Sequence, residues 1–187
     1  MIFRKATITD TKAVILLQSK YLITNIPENK RQNGFVTTPF TISQIQNIIA
    51  LEGLFVAEKN TVIVAYTFAG SWDYFSQWAI FPFMVSRLNE LNFRTEKITP
   101  SNSFQYGPIC IDEDYRGSEL FPRLFETMRI ELNKRYPIGV TFINKINKRS
   151  FEAHTKKLKM DIIDEFEFNG NNYFGLAFST NESVLAQ

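Results

Sequence analysis

The hydrophobic positions of this chain keep two different periods, and the points where one gives way to the other outline its elements. Met1–Ala6 alternates and predicts a short strand. Thr9 reads as a helix cap with Asp10 in the first turn, and Ala13, Val14, Leu16, Leu17 and Tyr21 then recur at helical spacing, so a helix is expected over 10–22. Residues 25–40 contain Pro27, Gly34 and Pro39 among polar positions and read as a loop. Thr41 caps a second helix whose apolar positions are Ile42, Ile45, Ile48 and Ile49. Leu54–Glu58 and Val62–Trp72 are β-rich and are separated by Lys59-Asn60-Thr61, the form of a hairpin.

The second half shows the same alternation of periods. Tyr74, Phe75, Trp78, Phe81, Phe83 and Met84, continued by Leu88 and Leu91, predict an aromatic helical segment that Pro82 should kink or interrupt. A polar stretch around Pro100 closes this excursion, which covers about 73–103. Phe104–Ile111 predicts a strand, Glu113–Gly117 a turn, and Leu120, Leu124, Phe125, Met128 and Leu132 one face of a helix. Pro137–Ile143 reads as a buried strand, Asn147 opens a helix to about Leu158, and strands at Asp161–Phe168 and Tyr173–Ser179 flank the turn Asn169-Gly170-Asn171. The order is that of a mixed α/β fold, and 187 residues without repeats or low-complexity tracts suit a single domain over 1–187.

Composition narrows the function by exclusion. A net charge of +2, with Lys and Arg mostly scattered, argues against nucleic acid as a partner. No apolar run approaches the roughly 18 residues of a membrane span, and the N-terminus lacks the pattern of a signal peptide, so a cytoplasmic protein with no membrane partner is expected. One cysteine and one histidine exclude thiolate-rich and His-rich metal sites, so no metal is expected. Cys110 lies in an apolar strand and reads as a small buried thiol.

Two segments carry candidate chemistry. The first is the strand–turn–helix around Arg116-Gly117, where a helix N-terminus presents unpaired N–H groups to an anion, Arg116 adds charge and Gly117 admits a close backbone approach. The second runs from Asn147 to His154. Asn147 and Ser150 can hydrogen-bond a ligand, although Asn147 serves equally well as a plain N-cap. His154 returns to the same helix face two turns on. The acidic triplet Asp112-Glu113-Asp114 reads as solvated, and Tyr106 offers a proton relay through water. Trp72, Trp78 and their aromatic neighbours either line an acceptor pocket, bury a homodimer contact or extend the core.

Tyr115-Arg116-Gly117, Asn147-x-x-Ser150, the strand Tyr106–Ile111 and the closing pattern Leu158…Glu165-Phe166…Gly170…Tyr173 fall in one order along the chain. In that order they resemble the GNAT superfamily of N-acetyltransferases. The resemblance runs the length of the chain and implies a central, twisted, mostly antiparallel sheet flanked by helices, with acetyl-CoA as co-substrate. It implies that the Ile109-Cys110-Ile111 backbone holds the pantetheine arm. The pyrophosphate would sit on Arg116-Gly117-Ser118-Glu119-Leu120-Phe121. Here the family's two small positions are Glu119 and Phe121; Glu119 either opposes the phosphates or turns outward, leaving only its N–H at the ligand. His154 stands where the family commonly places a Tyr that protonates the departing thiolate, and the family's closing Leu-Gly-Phe reads Leu158-Lys159-Met160, displaced by one residue. The implied activity is acetyl transfer to an amine of a small molecule or peptide. A domain that binds acyl-CoA without turnover is the alternative that Glu119 and Phe121 favour.

Overall fold

The computed structural model describes residues 1–185. Its elements are β1 (Ile2–Lys5), α1 (Thr11–Tyr21), α2 (Ile42–Ala50), β2 (Leu54–Lys59), β3 (Val62–Gly70), α3 (Trp72–Phe75) and α4 (Ile80–Leu88). They continue with the two-residue strands β4 (Asn92–Phe93) and β5 (Glu96–Lys97), then β6 (Ser103–Ile111), α5 (Leu120–Asn133), β7 (Ile138–Asn144), α6 (Lys148–Glu152), β8 (Asp161–Phe168) and β9 (Asn171–Ser179). Seven strands form one sheet in the order β1-β2-β3-β6-β7-β9-β8. Of its pairings, β6 with β7 is parallel and the rest are antiparallel, the mostly antiparallel sheet that the resemblance implies.

Period-two patterning sends alternate residues to opposite faces, and the helices cover both. Val56, Tyr66, Phe68 and Val140 pack with Val14 and Leu17 of α1, Ile45 and Ile48 of α2, and the aromatic excursion. Phe55, Ala65, Phe104, Tyr106 and Phe178 pack with Leu124, Phe125, Met128 and Leu132 of α5. Each fully buried Leu, Phe or Met contributes roughly 1.5–3 kcal/mol through removal from water. Those four α5 side chains, all with no exposed area, therefore anchor the helix whose first turn borders the site.

Several local expectations are revised for identifiable physical reasons. Thr9 does not cap α1. The Asp10 carboxylate turns back to accept from the Thr7 N–H at 2.7 Å and pairs bidentately with Arg4 at 2.7 and 2.9 Å, so 8–10 form a separate 3-10 turn. Arg4 also reaches Glu58 at 2.8 Å, tying β1 to β2. Leu16 is exposed, and Gln18 is buried in its stead by bonding both the carbonyl and the N–H of Phe40 at 3.0 Å. Pro82 does not interrupt a helix: the break falls at 76–79, and Pro82 lies in the first turn of α4, where no intrahelical N–H is needed. Arg87 of α4 forks onto Asp164 of β8 at 2.8 and 3.0 Å, which fixes the excursion against the sheet edge. Thr41 and Gln44 form the expected capping box.

Candidate active site

The site begins where two strands part. β6 and β7 pair from Ser103–Ile138 to Gln105–Val140 and no further, while β6 remains paired with β3 as far as Ile111. Gly107, at φ +103°, marks the bend, a conformation that L side chains rarely adopt. The Asp112 N–H donates to Val64 O at 2.9 Å. By the alternation of an antiparallel ladder, the backbone groups of Cys110 then face β3, and those of Ile109 and Ile111 face the gap. The gap opens into two cavities with volumes of about 310 and 120 Å³. They share a wall of Phe35, Val36, Ile109, Asn147, Ser150 and His154.

The larger cavity lies between the start of α5 and α6. Ile109, Cys110, Ile111, Arg116, Gly117, Phe121, Asn147 and Ser150 line it, which brings together most of the residues the sequence singles out. Ser118, Glu119 and Leu120 do not line it. Ser118 Oγ donates to Tyr115 O at 2.6 Å, Leu120 is in the core, and Glu119 is exposed to solvent, the outward one of its two readings. Gly117, at φ +82°, turns the chain into α5; its N–H and that of Glu119 find no acceptor among the described residues, and Pro122 has no N–H to offer. These free donors suit an anion.

Arg116 is tied more tightly than a free phosphate ligand. Its Nε donates to Ile111 O at 2.8 Å, Nη1 donates to Asn33 O at 2.9 Å, and the guanidinium lies 4.4 Å from the centre of the Tyr21 ring. It thereby pins the loop at Asn33 over the end of β6 and supplies positive charge from a fixed place. Sequence reasoning gave no role to Lys156 or Lys157. Both line the same cavity with Arg149, against the lone lining carboxylate of Glu152, and Lys157 Nζ donates to Gly117 O at 3.1 Å across the mouth. Their clustering was visible as Lys156–Lys159; that they fold over the Arg116 turn was not.

The far wall comes from α6 and the turn that follows it. Asn147 caps α6, its Oδ1 accepting from the Ser150 N–H at 3.2 Å, so the plain structural reading of this residue holds while it also lines both cavities. After Glu152 the helix widens into a π turn at Ala153–Lys157, closed by Leu158 N–H to Ala153 O at 3.3 Å. A π turn houses one residue more than an α turn. Just beyond it, Lys159 has φ +53°.

His154 sits in this turn, buried, with Phe121 at 5.1 Å and Tyr106 at 5.7 Å between ring centres. Its Nδ1 lies 2.7 Å from Ser150 O. A carbonyl only accepts, so Nδ1 carries the proton and Nε2 presents a lone pair. Burial pushes the imidazole from 6.5 down to about 4, against the opposing bond to Ser150. At neutral pH the ring is therefore a proton acceptor first, and it becomes a donor only after taking a proton.

The other candidates play different parts. Tyr106 lines the smaller cavity and packs against His154; it has no exposed area, its hydroxyl has no hydrogen-bond partner, and burial pushes its phenol well above the usual range. Trp72 is buried, its Nε1 donating to Ser103 Oγ at 3.1 Å, and Trp78 packs on Phe40, Tyr74, Phe75 and Phe81. Neither tryptophan lines either of these two cavities; of their segment, Phe81 lines the smaller. Trp72 is buried in the core, and Trp78 is partly buried against it. Cys110 is buried, with its thiol pushed up to about 12, as a structural thiol should be. In the acidic triplet, Asp112 pairs with Lys20 at 2.9 Å, and Glu113 and Asp114 are exposed.

By sequence, the chain matches no protein-family model and no curated protein. By structure it is similar to an N-acetyltransferase from Staphylococcus aureus Mu50, with a TM-score of 0.60 and 16% identity over 96% of this chain and 98% of that one. It is similar to an acetyltransferase of the GNAT family from Streptococcus pneumoniae, with a TM-score of 0.64 and 9% identity over 95% and 98% of the two chains. YncA of Salmonella typhimurium, solved with its cofactor acetyl-CoA, superposes with a TM-score of 0.63 at 13% identity over 100% and 98%.

Proposed function

With the fold of the GNAT-superfamily N-acetyltransferases as its frame, we propose that this chain transfers an acetyl group from acetyl-CoA to an amine. The observation that carries the reading is the gap between β6 and β7, with a strand edge on one side and His154 in the wall of both cavities that open from it. The residues suit the co-substrate. Ile109 offers its backbone groups to an extended amide-bearing arm, while Arg116, Arg149, Lys156 and Lys157 offer charge to phosphates. In the reaction an N–C bond forms as the thioester C–S bond breaks, and one proton passes from nitrogen to sulfur. His154 takes and returns that proton at Nε2. Its depressed basicity makes the protonated ring a willing donor, so one side chain serves both halves of the exchange. The Ile111 N–H facing the gap is a donor for the carbonyl oxygen.

Isothermal calorimetry with acetyl-CoA, followed by thiol release with a panel of amines, tests this reading. Micromolar-to-millimolar binding together with amine-dependent thiol release is expected; the absence of binding at millimolar acetyl-CoA removes the proposal. The second reading, an acyl-CoA-binding domain without turnover, is favoured by one observation. The Phe121 ring lies against His154 and narrows the approach to it. Binding without thiol release from any amine selects that reading.

A further inference from the structure

The smaller cavity has its own chemical character. Its 120 Å³ lie beyond the shared wall, on the side away from the cationic mouth, and its apolar lining comes from Phe35, Phe40, Phe81, Phe142, Pro108 and Tyr173. At 120 Å³ the space falls short of the roughly 150 Å³ that encloses a benzene ring, so it takes a branched aliphatic chain whole, or the greater part of one ring. Hydroxyls and amides of Thr37, Thr38, Thr141, Asn144 and Gln105 also line it, beside Tyr106, Gly107, Ile143 and the shared wall, and no Asp, Glu, Lys or Arg is among its residues. Gln105 is 2% exposed, and its Oε1 has no hydrogen-bond partner, although its Nε2 donates to Tyr106 O at 2.7 Å. A buried carbonyl oxygen without a donor is costly to the protein, and an incoming N–H satisfies it.

We propose that this cavity is the acceptor site and that its substrate is a primary amine on an uncharged apolar or aromatic body, oriented by an N–H donated to Gln105 Oε1. The inference rests on the acetyl-transfer reading and specifies its acceptor. A second charge on the acceptor has no partner in the lining, and desolvating an unpaired charge is strongly unfavourable. Polyamines and free amino acids are thereby disfavoured. His154 lies in the wall between the two cavities, which places Nε2 at the junction where an amine in one meets a thioester in the other.

The test uses the full chain with acetyl-CoA as donor, thiol release as readout, and 2-phenylethylamine, L-phenylalanine and spermidine as acceptors. The first has one ring and one amine, the second adds a carboxylate, and the third replaces the ring with further amines. The kcat/KM for 2-phenylethylamine is expected to exceed both others by at least about tenfold. Equal or better use of spermidine or L-phenylalanine overturns the inference. Gln105→Leu is expected to raise the KM for 2-phenylethylamine several-fold with unchanged acetyl-CoA affinity, and an unchanged KM in a folded variant removes the role of Gln105. Thr38→Asp lies in a surface loop that tolerates substitution, and the carboxylate it adds should shift the ratio of kcat/KM values toward spermidine; an unmoved ratio argues against this cavity. Calorimetry with acetyl-CoA on the same samples separates the two levels. Failure to bind it defeats the acetyl-transfer reading and this inference together, whereas normal binding with the wrong ranking of amines defeats this inference alone.

Discussion

The buried histidine makes a quantitative prediction that can be followed without interference, because the chain contains only one. In the folded protein His154 titrates near 4, whereas in the unfolded chain it titrates near its ordinary 6.5. The unfolded state therefore takes up the proton first as pH falls. Folding stability is unaffected by His154 above about pH 7, declines as the pH drops from 6.5 toward 4, and stops declining below that. At 1.36 kcal/mol per unit of pKa difference, the full loss is about 3 kcal/mol. Asp10 and Glu126 also titrate below their usual values because of Arg4 and Arg129, so wild-type protein alone gives a composite slope at acid pH. Urea unfolding at several pH values from 8 to 4, on wild type and on His154→Phe, isolates the histidine as the difference between the two curves. Ring-proton NMR gives the folded pKa directly. Parallel stability curves, or an imidazole that titrates near 6.5 in the native protein, would refute the assignment of a buried neutral ring with its proton on Nδ1.

Other expectations are independent of that measurement. His154→Ala should lower kcat by at least about tenfold with little change in acetyl-CoA affinity, and unchanged turnover would retire His154 from the reaction. Glu119→Gly removes an exposed, screened carboxylate and should tighten acetyl-CoA binding by no more than about threefold; a tenfold change would mean that Glu119 reaches the phosphates. Lys159→Gly relieves a left-handed residue at φ +53° and should stabilise the fold by about 0.5–1 kcal/mol, seen as a melting temperature raised by a few degrees. Trp72→Phe loses the bond to Ser103 and should cost about 1–2 kcal/mol in chemical denaturation while leaving the KM for amines alone, which distinguishes a core residue from an acceptor contact.

Elements with strong periodicity were legible in the residues. The amphipathic face of α5 and the two hairpins stand where the pattern puts them, because a buried stripe and a tight turn each leave a local signature. The turn at Asn60-Thr61 even shows both residues at positive φ, as a two-residue hairpin requires. The Gly117 turn was legible for the same reason, being a local feature, whereas the Ile109–Ile111 edge entered only through the family resemblance. What the sequence hid was tertiary. Nothing local says that Lys157 reaches Gly117, forty residues away, or that the Asn33 loop is fastened by Arg116. The tryptophans left three readings open because an amphipathic aromatic segment has one pattern whether it lines a pocket, meets a partner or extends a core. The Ser103 partner of Trp72 and the ring cluster around Trp78 are tertiary facts that no local pattern carries.

The widened turn at Ala153–Lys157 has a consequence for everything downstream of it. Consecutive residues of a regular helix are set about 100° apart around its axis, so one surplus residue, absorbed locally, rotates the phase of all that follow by that angle. The helix ends within that turn: Leu158 remains sealed in the interior, and β8 begins at Asp161, its pairing with β9 slipping once between Ile162 and Asp164. His154 and Leu158 are held to one another across the turn, Leu158 N–H donating to Ala153 O at 3.3 Å and Met160 N–H to His154 O at 3.2 Å. A residue added or removed there moves the histidine wall and changes which lysine overhangs the opening.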